Sequence, residues 1–209
     1  KNIHQFTLLR EQCEKPDDQS RRSSMAKLIN QGADIIVTNG WEFTPIVEEY
    51  AKKYPDRYFI IHDSSVTGIP NVLSTVYGQH EGSFLAGALA AWTSQSGKIG
   101  FIGGKDMPVI RAFQTGYKEG ALFARKDIEI INVFLSGKHD SAAGFDDPAL
   151  AFAKANELYN SGVDIIFSVA GLSGNGIIRA AVQNEKLAIG VDADQDHMAK
   201  GYILTSVIK

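Results

Sequence analysis

One segment of this chain occurs twice. Asn30-Gln31-Gly32-Ala33-Asp34-Ile35-Ile36-Val37 returns as Asn160-Ser161-Gly162-Val163-Asp164-Ile165-Ile166-Phe167, and each copy soon reaches a glycine, Gly40 or Gly171. Each reads as a helix C-terminus stopped by glycine, a buried apolar strand, and a glycine-containing loop that opens the next helix. A chain that spells this pattern twice is built from two similar α/β halves. Two such halves facing each other make a cleft, and a cleft implies capture of a ligand between lobes.

The surrounding sequence alternates strands and helices in the same manner. Strands are expected at Ile3 to Leu9, Ala33 to Thr38, Tyr58 to His62, Val72 to Val76, Lys98 to Ile102, Ile128 to Leu135, Asp164 to Ser168, Ala188 to Val191 and Tyr202 to Val207. Helices are expected from Ser20 to Gln31, from a Thr44 cap followed by Pro45, from Glu81 to Ser94, from Pro108 to Ala124, from Asp147-Pro148, and from Gly176 to Asn184. Alternation of this kind predicts doubly wound parallel sheets covered on both faces. The polar, small stretch Thr93 to Gly97 is the natural boundary, giving one lobe over 1–95 and a second over 96–209. The second lobe has a strand and helix ahead of its repeated segment, where the first supplies only the short strand at Ile3. The first lobe therefore reads as incomplete and the chain as a fragment or N-terminally trimmed form.

Composition excludes several partners. A formal charge of -3 over 209 residues gives no electrostatic case for nucleic acid or an anionic membrane. The lone cysteine, Cys13, permits neither an intramolecular disulfide nor a structural zinc site. The most apolar stretch, Phe84 to Trp92, is too short to span a bilayer.

Four ordered segments then bring a family into view: Gly97 to Gly120 (GKIGFIGGKDMPVIRAFQTGYKEG), Asp164 to Ile178 (DIIFSVAGLSGNGII), Ala188 to Asp196 (AIGVDADQD) and Leu204 to Lys209 (LTSVIK). Together they resemble the basic membrane protein family of ABC-transporter substrate-binding proteins, which includes purine nucleoside receptors of the PnrA type. The resemblance covers nearly the whole chain. It implies a type I periplasmic-binding fold, an exported protein often tethered as a lipoprotein, a nucleoside as ligand, and an ABC permease as partner. Any membrane attachment would run through a lipid anchor outside this chain. It also implies that the family's first strand and helix, with an Asp-Lys-Ser-Phe-Asn-like ligand loop, and the C-terminal return to the first lobe are absent.

Ligand chemistry is expected outside the C-terminal ends of the strands, where the crevice of an open parallel sheet forms. Trp41 and Phe43 follow the strand ending at Thr38. An aromatic there either stacks on a base, worth roughly 1–3 kcal/mol in nucleic-acid binders, or packs beneath its own loop. Asp63 follows the next strand and can accept from a base N–H or cap its turn; the resemblance places a ligand-facing acid at this step, while His62 alternates to the other side as a structural residue. Asp192 ends a strand of the second lobe, where an ionised carboxylate matches the vicinal hydroxyls of ribose; in the resemblance it is the sugar-binding acid. Lys209 in the family points into the cleft. Met107 and Phe167 line the cleft or belong to the core, and Gly171 opens a glycine-rich loop whose backbone can approach an uncharged ligand closely.

Enzyme, cofactor and metal readings fail on motif. Gly171-Leu172-Ser173 begins like a nucleophile elbow, but Asn175 stands where the last glycine is needed and no triad histidine can be assigned. The glycine spacing matches neither dinucleotide nor P-loop signatures. Asp192, Asp194 and Asp196 imitate the start of a calcium loop, which His197 and Ile203 then break. The expectation is capture without chemistry: an extracytoplasmic receptor that closes on a hinge near Thr93 to Gly97 and presents its ligand to a permease. The alternative is a sensing or regulatory module of the same fold that signals to a partner protein. An upstream lipid-attachment cysteine would favour transport, and an upstream signalling or DNA-binding domain would favour sensing.

Overall fold

The computed structural model describes residues 7–15, 17–136 and 144–208, and the chain divides into two units, Lys1–Tyr77 and Gly78–Lys209.

The first unit is a parallel sheet of β1 (Ile35–Asn39), β2 (Tyr58–His62) and β3 (Val72–Thr75), with Ile35 opposite Tyr58 and Phe59 opposite Val72. Parallel neighbours need a crossover, which α2 (Thr44–Lys53) supplies between β1 and β2, while α1 (Asp18–Asn30) precedes β1. Asp17 caps α1 by accepting the Ser20 N–H at 2.7 Å, one of the donors a helix start leaves unpaired. Pro45 in the first turn of α2 and Lys52 and Lys53 in its last suit a helix start and a negative dipole end. One face of the sheet, bearing Ile36, Phe59 and Ile61, is buried against Met25 of α1 and Ile46, Val47 and Ala51 of α2. Strand alternation turns Ile35, Val37, Tyr58 and Leu73 to the other face, where they are 56%, 56%, 62% and 59% exposed.

The second unit covers both faces of its sheet. Its strands β4 (Lys98–Lys105), β5 (Glu129–Ser136), β6 (Ile165–Val169), β7 (Leu187–Asp192) and β8 (Ile203–Ile208) run parallel in the order β5-β4-β6-β7-β8. On one side Phe101, Phe167, Ile189 and Val207 pack against α3 (Gln79–Thr93) through Ala86 and Ala90 and against α4 (Pro108–Ala124) through Phe113 and Tyr117. On the other, Ile102, Ile166 and Ala188 pack against α5 (Pro148–Asn160) and α6 (Gly174–Gln183) through Ala151, Leu158 and Ile177. The sequence repeat is a structural one: Ile165 pairs with Leu187 as Ile35 pairs with Tyr58. The positions that match Ile35 and Val37 are Ile165 and Phe167, buried to 1% and 0% exposure.

Four expectations need correction. The boundary lies between Tyr77 and Gly78, ahead of α3, because α3 crosses α4 backbone to backbone: a Cβ on Gly120 would overlap the Phe84 carbonyl and one on Gly87 the Tyr117 carbonyl. The stretch expected to act as a hinge is pinned within the second unit, since the buried Asp164 carboxylate accepts from Ser94 Oγ and from the Gln95 and Ser96 N–H groups, each at 2.8 Å. Thr44 does not cap α2. A 3-10 turn at Trp41–Phe43 precedes it, and Thr44 Oγ1 lies 2.7 Å from Ser64 Oγ. Of the strand expected at Ile3 to Leu9, residues 7–9 are not in a strand and the rest lies outside the described residues. The matching strand of the second unit, β5, pairs with β4 alone, and the described part of the first unit holds no counterpart of β4.

Candidate functional site

Because every strand is parallel, each unit gathers its strand C-termini at one edge. The two acids singled out in the sequence sit there in the same unusual conformation, Asp63 after β2 at φ 58° and Asp192 at the end of β7 at φ 69°. With β2 matched to β7 by register they are the same position of the repeat. Left-handed backbone disfavours most side chains but is tolerated by aspartate, and such residues cluster at functional sites. Each is held by its surroundings. The Asp63 N–H donates to the Thr75 carbonyl at 2.9 Å, and His62 Nδ1 lies 2.6 Å from Thr75 Oγ1. Beyond Asp192, the Gln195 side chain folds back to accept the Val191 N–H at 3.0 Å.

In the first unit the loop after β1 begins at Gly40, whose N–H donates to the His62 carbonyl at 3.0 Å, so this loop and the Asp63 turn are tied together. Trp41 and Phe43 are both half-buried. Phe43 packs against the core of the unit and also lines a pocket of about 350 Å³ with Asn39, Glu42, Cys13 and Arg21.

In the second unit Gly171 opens a 3-10 turn at φ 53° and is exposed. A residue the sequence reading passed over, Phe145, lies beside it. Its ring rests on Gly104 at the end of β4, where a Cβ would come within 2.5 Å of the ring, and its carbonyl accepts the Ser173 N–H at 3.1 Å. The available signal was a large apolar residue two places ahead of the Asp147 helix cap, in an otherwise small and polar stretch. Met107 is half-buried against the core. Phe167 is a core residue and offers a ligand no surface: it is fully buried, with ring centroids 5.2 Å from Tyr117, 5.8 Å from Phe101 and 6.2 Å from Phe113. Lys209 lies outside the described residues.

Beside the β4 loop, Arg111 donates to both oxygens of Asp106, at 2.7 and 2.9 Å, and stacks 4.5 Å above the Phe134 ring. Hydrogen bonding to Asp106 raises the already high guanidinium pKa. Among the described residues no group of three His, Cys, Asp or Glu side chains could hold a metal ion, and no helix is long and apolar enough to cross a membrane.

Parallel sheets with chemistry-bearing residues at their strand ends define the class, a solute-binding α/β protein of the type I periplasmic-binding fold. The chain belongs to the PnrA-like family of ABC transporter substrate-binding proteins, whose model matches residues 4–209; this is a family of binding proteins, not of enzymes. It is 38% identical to basic membrane protein B of Borrelia garinii subsp. bavariensis over 90% of this chain and 54% of that protein. It is 34% identical to basic membrane protein A of Borreliella burgdorferi over 90% of this chain and 55% of that protein. The chain thus spans about half the length of the curated relatives it matches. Among solved structures, an ABC transporter solute-binding protein from Aeropyrum pernix K1 superposes with a TM-score of 0.78 at 26% identity, over 92% of this chain and 55% of that one.

Proposed function

We propose that this chain is the ligand-capturing part of an extracytoplasmic receptor that takes a nucleoside, with purines preferred, and delivers it to an ABC permease. The observation that carries the reading is the pair of left-handed aspartates, Asp63 and Asp192, at matching strand ends of the two units. Asp192 is exposed and, when ionised, has acceptor sites for two hydroxyls at once, which suits the vicinal diol of a ribose. Asp63 accepts from a base N–H. Trp41 or Phe43 supplies an aromatic face for the base, and the exposed backbone at Gly171 allows close approach. Met107 borders the β4 loop as an apolar wall, and Lys209 donates to the ligand or steadies Asp192.

Thermal unfolding with adenosine, guanosine, inosine and cytidine tests the class of ligand. A nucleoside at 100 times its dissociation constant adds about 2.7 kcal/mol of stability, and purine nucleosides are expected to give the larger shift. Asp192→Ala should weaken binding by ~10-fold or more, since a hydrogen bond to a charged group contributes about 1.5–3 kcal/mol. Unchanged affinity in that variant would sink the assignment of Asp192.

A further inference from the structure

We infer that Gln195 and Ser206 are positioning residues that fix the direction of the Asp192 carboxylate. The inference rests on the reading of Asp192 as the group that holds a vicinal diol. Past Asp192 the chain would leave the sheet freely, yet it is drawn back onto the strand it has just left. Gln195 Oε1 accepts the Val191 N–H at 3.0 Å, and the Gln195 N–H donates to Ser206 Oγ of β8 at 3.1 Å. Asp192 is therefore bracketed by a side-chain clasp that starts at the residue before it and ends on the neighbouring strand.

Two features of the strands make room for the clasp. Gly190 lies beneath it, where a Cβ would stand 2.5 Å from Gln195 Oε1 and 2.6 Å from Ser206 Oγ. The pairing of β7 with β8 slips between Ala188 and Ile189: Ala188 faces Ile203, but Ile189 faces Thr205 and Gly190 faces Ser206. Without that irregularity Thr205 would stand opposite Gly190. The slip delivers a small hydroxyl to the one strand position that has no side chain of its own. The turn of Asp63, the matching acid, has the hydroxyl half of this clasp: the Val66 N–H donates to Ser74 Oγ at 2.9 Å, Val66 and Ser74 standing where Gln195 and Ser206 stand in the repeat. The serine contact is part of the repeat, and what the Asp192 turn adds is the Gln195 side chain, which Val66 cannot imitate.

A loosened clasp lets the carboxylate spend only part of its time facing the diol, and apparent affinity falls by that fraction. The effect is confined to ligands that carry the hydroxyls. Titration calorimetry of the intact protein with inosine and with 2′,3′-dideoxyinosine reads it directly. Gln195→Ala and, independently, Ser206→Ala are expected to weaken inosine by about 3-fold or more while leaving dideoxyinosine unchanged. Ser206→Thr, which keeps the hydroxyl, should restore inosine binding, and Gln195→Ala should add nothing further on top of Asp192→Ala. Equal weakening of both ligands, or no weakening of either, overturns the positioning role. If Asp192→Ala itself leaves the preference for inosine over dideoxyinosine intact, the diol reading of Asp192 fails, and the inference falls with it for a separately visible reason.

Discussion

Tyr117 carries a hydroxyl that is fully buried among Phe101, Phe113 and Phe167 and has no hydrogen-bond partner among the described residues. A buried, unsatisfied polar group costs about 1–3 kcal/mol, so Tyr117→Phe should leave stability unchanged or raise it, read as the urea midpoint. Burial also pushes the Tyr117 hydroxyl pKa well up, and it raises that of Tyr159, whose hydroxyl donates to the Leu187 carbonyl at 2.9 Å. Both are neutral in the fold, while tyrosines of the unfolded chain ionise near about pH 10. The stability tied to the neutral forms is therefore whole below about pH 10 and is lost as pH climbs beyond it, at about 1.4 kcal/mol per pH unit for each tyrosine. Urea midpoints compared at about pH 9 and about pH 11 should show that fall, and Tyr117→Phe should make it shallower. At the same scale the repeat has diverged in chemistry. Asp164 is buried and ties down the turn before β4, whereas its counterpart Asp34 is exposed and pairs with Arg57 at 2.7 Å.

Among the elements, the crossing of α3 and α4 is the most demanding, because glycines let two backbones touch. Gly120→Ala would drive a methyl group into the Phe84 carbonyl. It should cost about 1–3 kcal/mol, the usual penalty for overpacking, measured as a lowered urea midpoint against a solvent-facing control such as Lys118→Ala. The elements themselves were legible in the sequence: β2 and α4 have the expected limits and most others moved by one to three residues, because glycine stops, Pro-led helix starts and unbroken apolar runs are local signals. What α3 packs against was not legible, since a small-residue helix declares that something comes close without naming it. For that reason the boundary was placed on the wrong side of α3. The placement of Asp63 and Asp192 at strand ends could be read from strand limits alone. Their shared left-handed backbone could not, because it depends on tertiary tethers such as Thr75 and Gln195. Phe167 misled because a strand residue near a loop and a strand residue in a core look alike until the covering helix is known.

Taken as a whole, the molecule sets two copies of one motif in different surroundings. Ile165→Ala, in a position sealed by α3 and α4, should cost about 2–5 kcal/mol. Ile35→Ala, at the same place in the repeat but on the open face of β1, should change stability by no more than about 0.5 kcal/mol. Hydrogen exchange resolved by unit is the measurement to use, since two units need not unfold together. The open face has a further consequence. Ile35, Val37, Tyr58 and Leu73 form an apolar plane in water, and sulfate, by being excluded from protein surfaces, drives such planes together. How concentrated this protein can be made before it salts out therefore depends on this plane together with the exposed Leu85, Trp92 and Phe123 of the second unit, whatever the strength of either core.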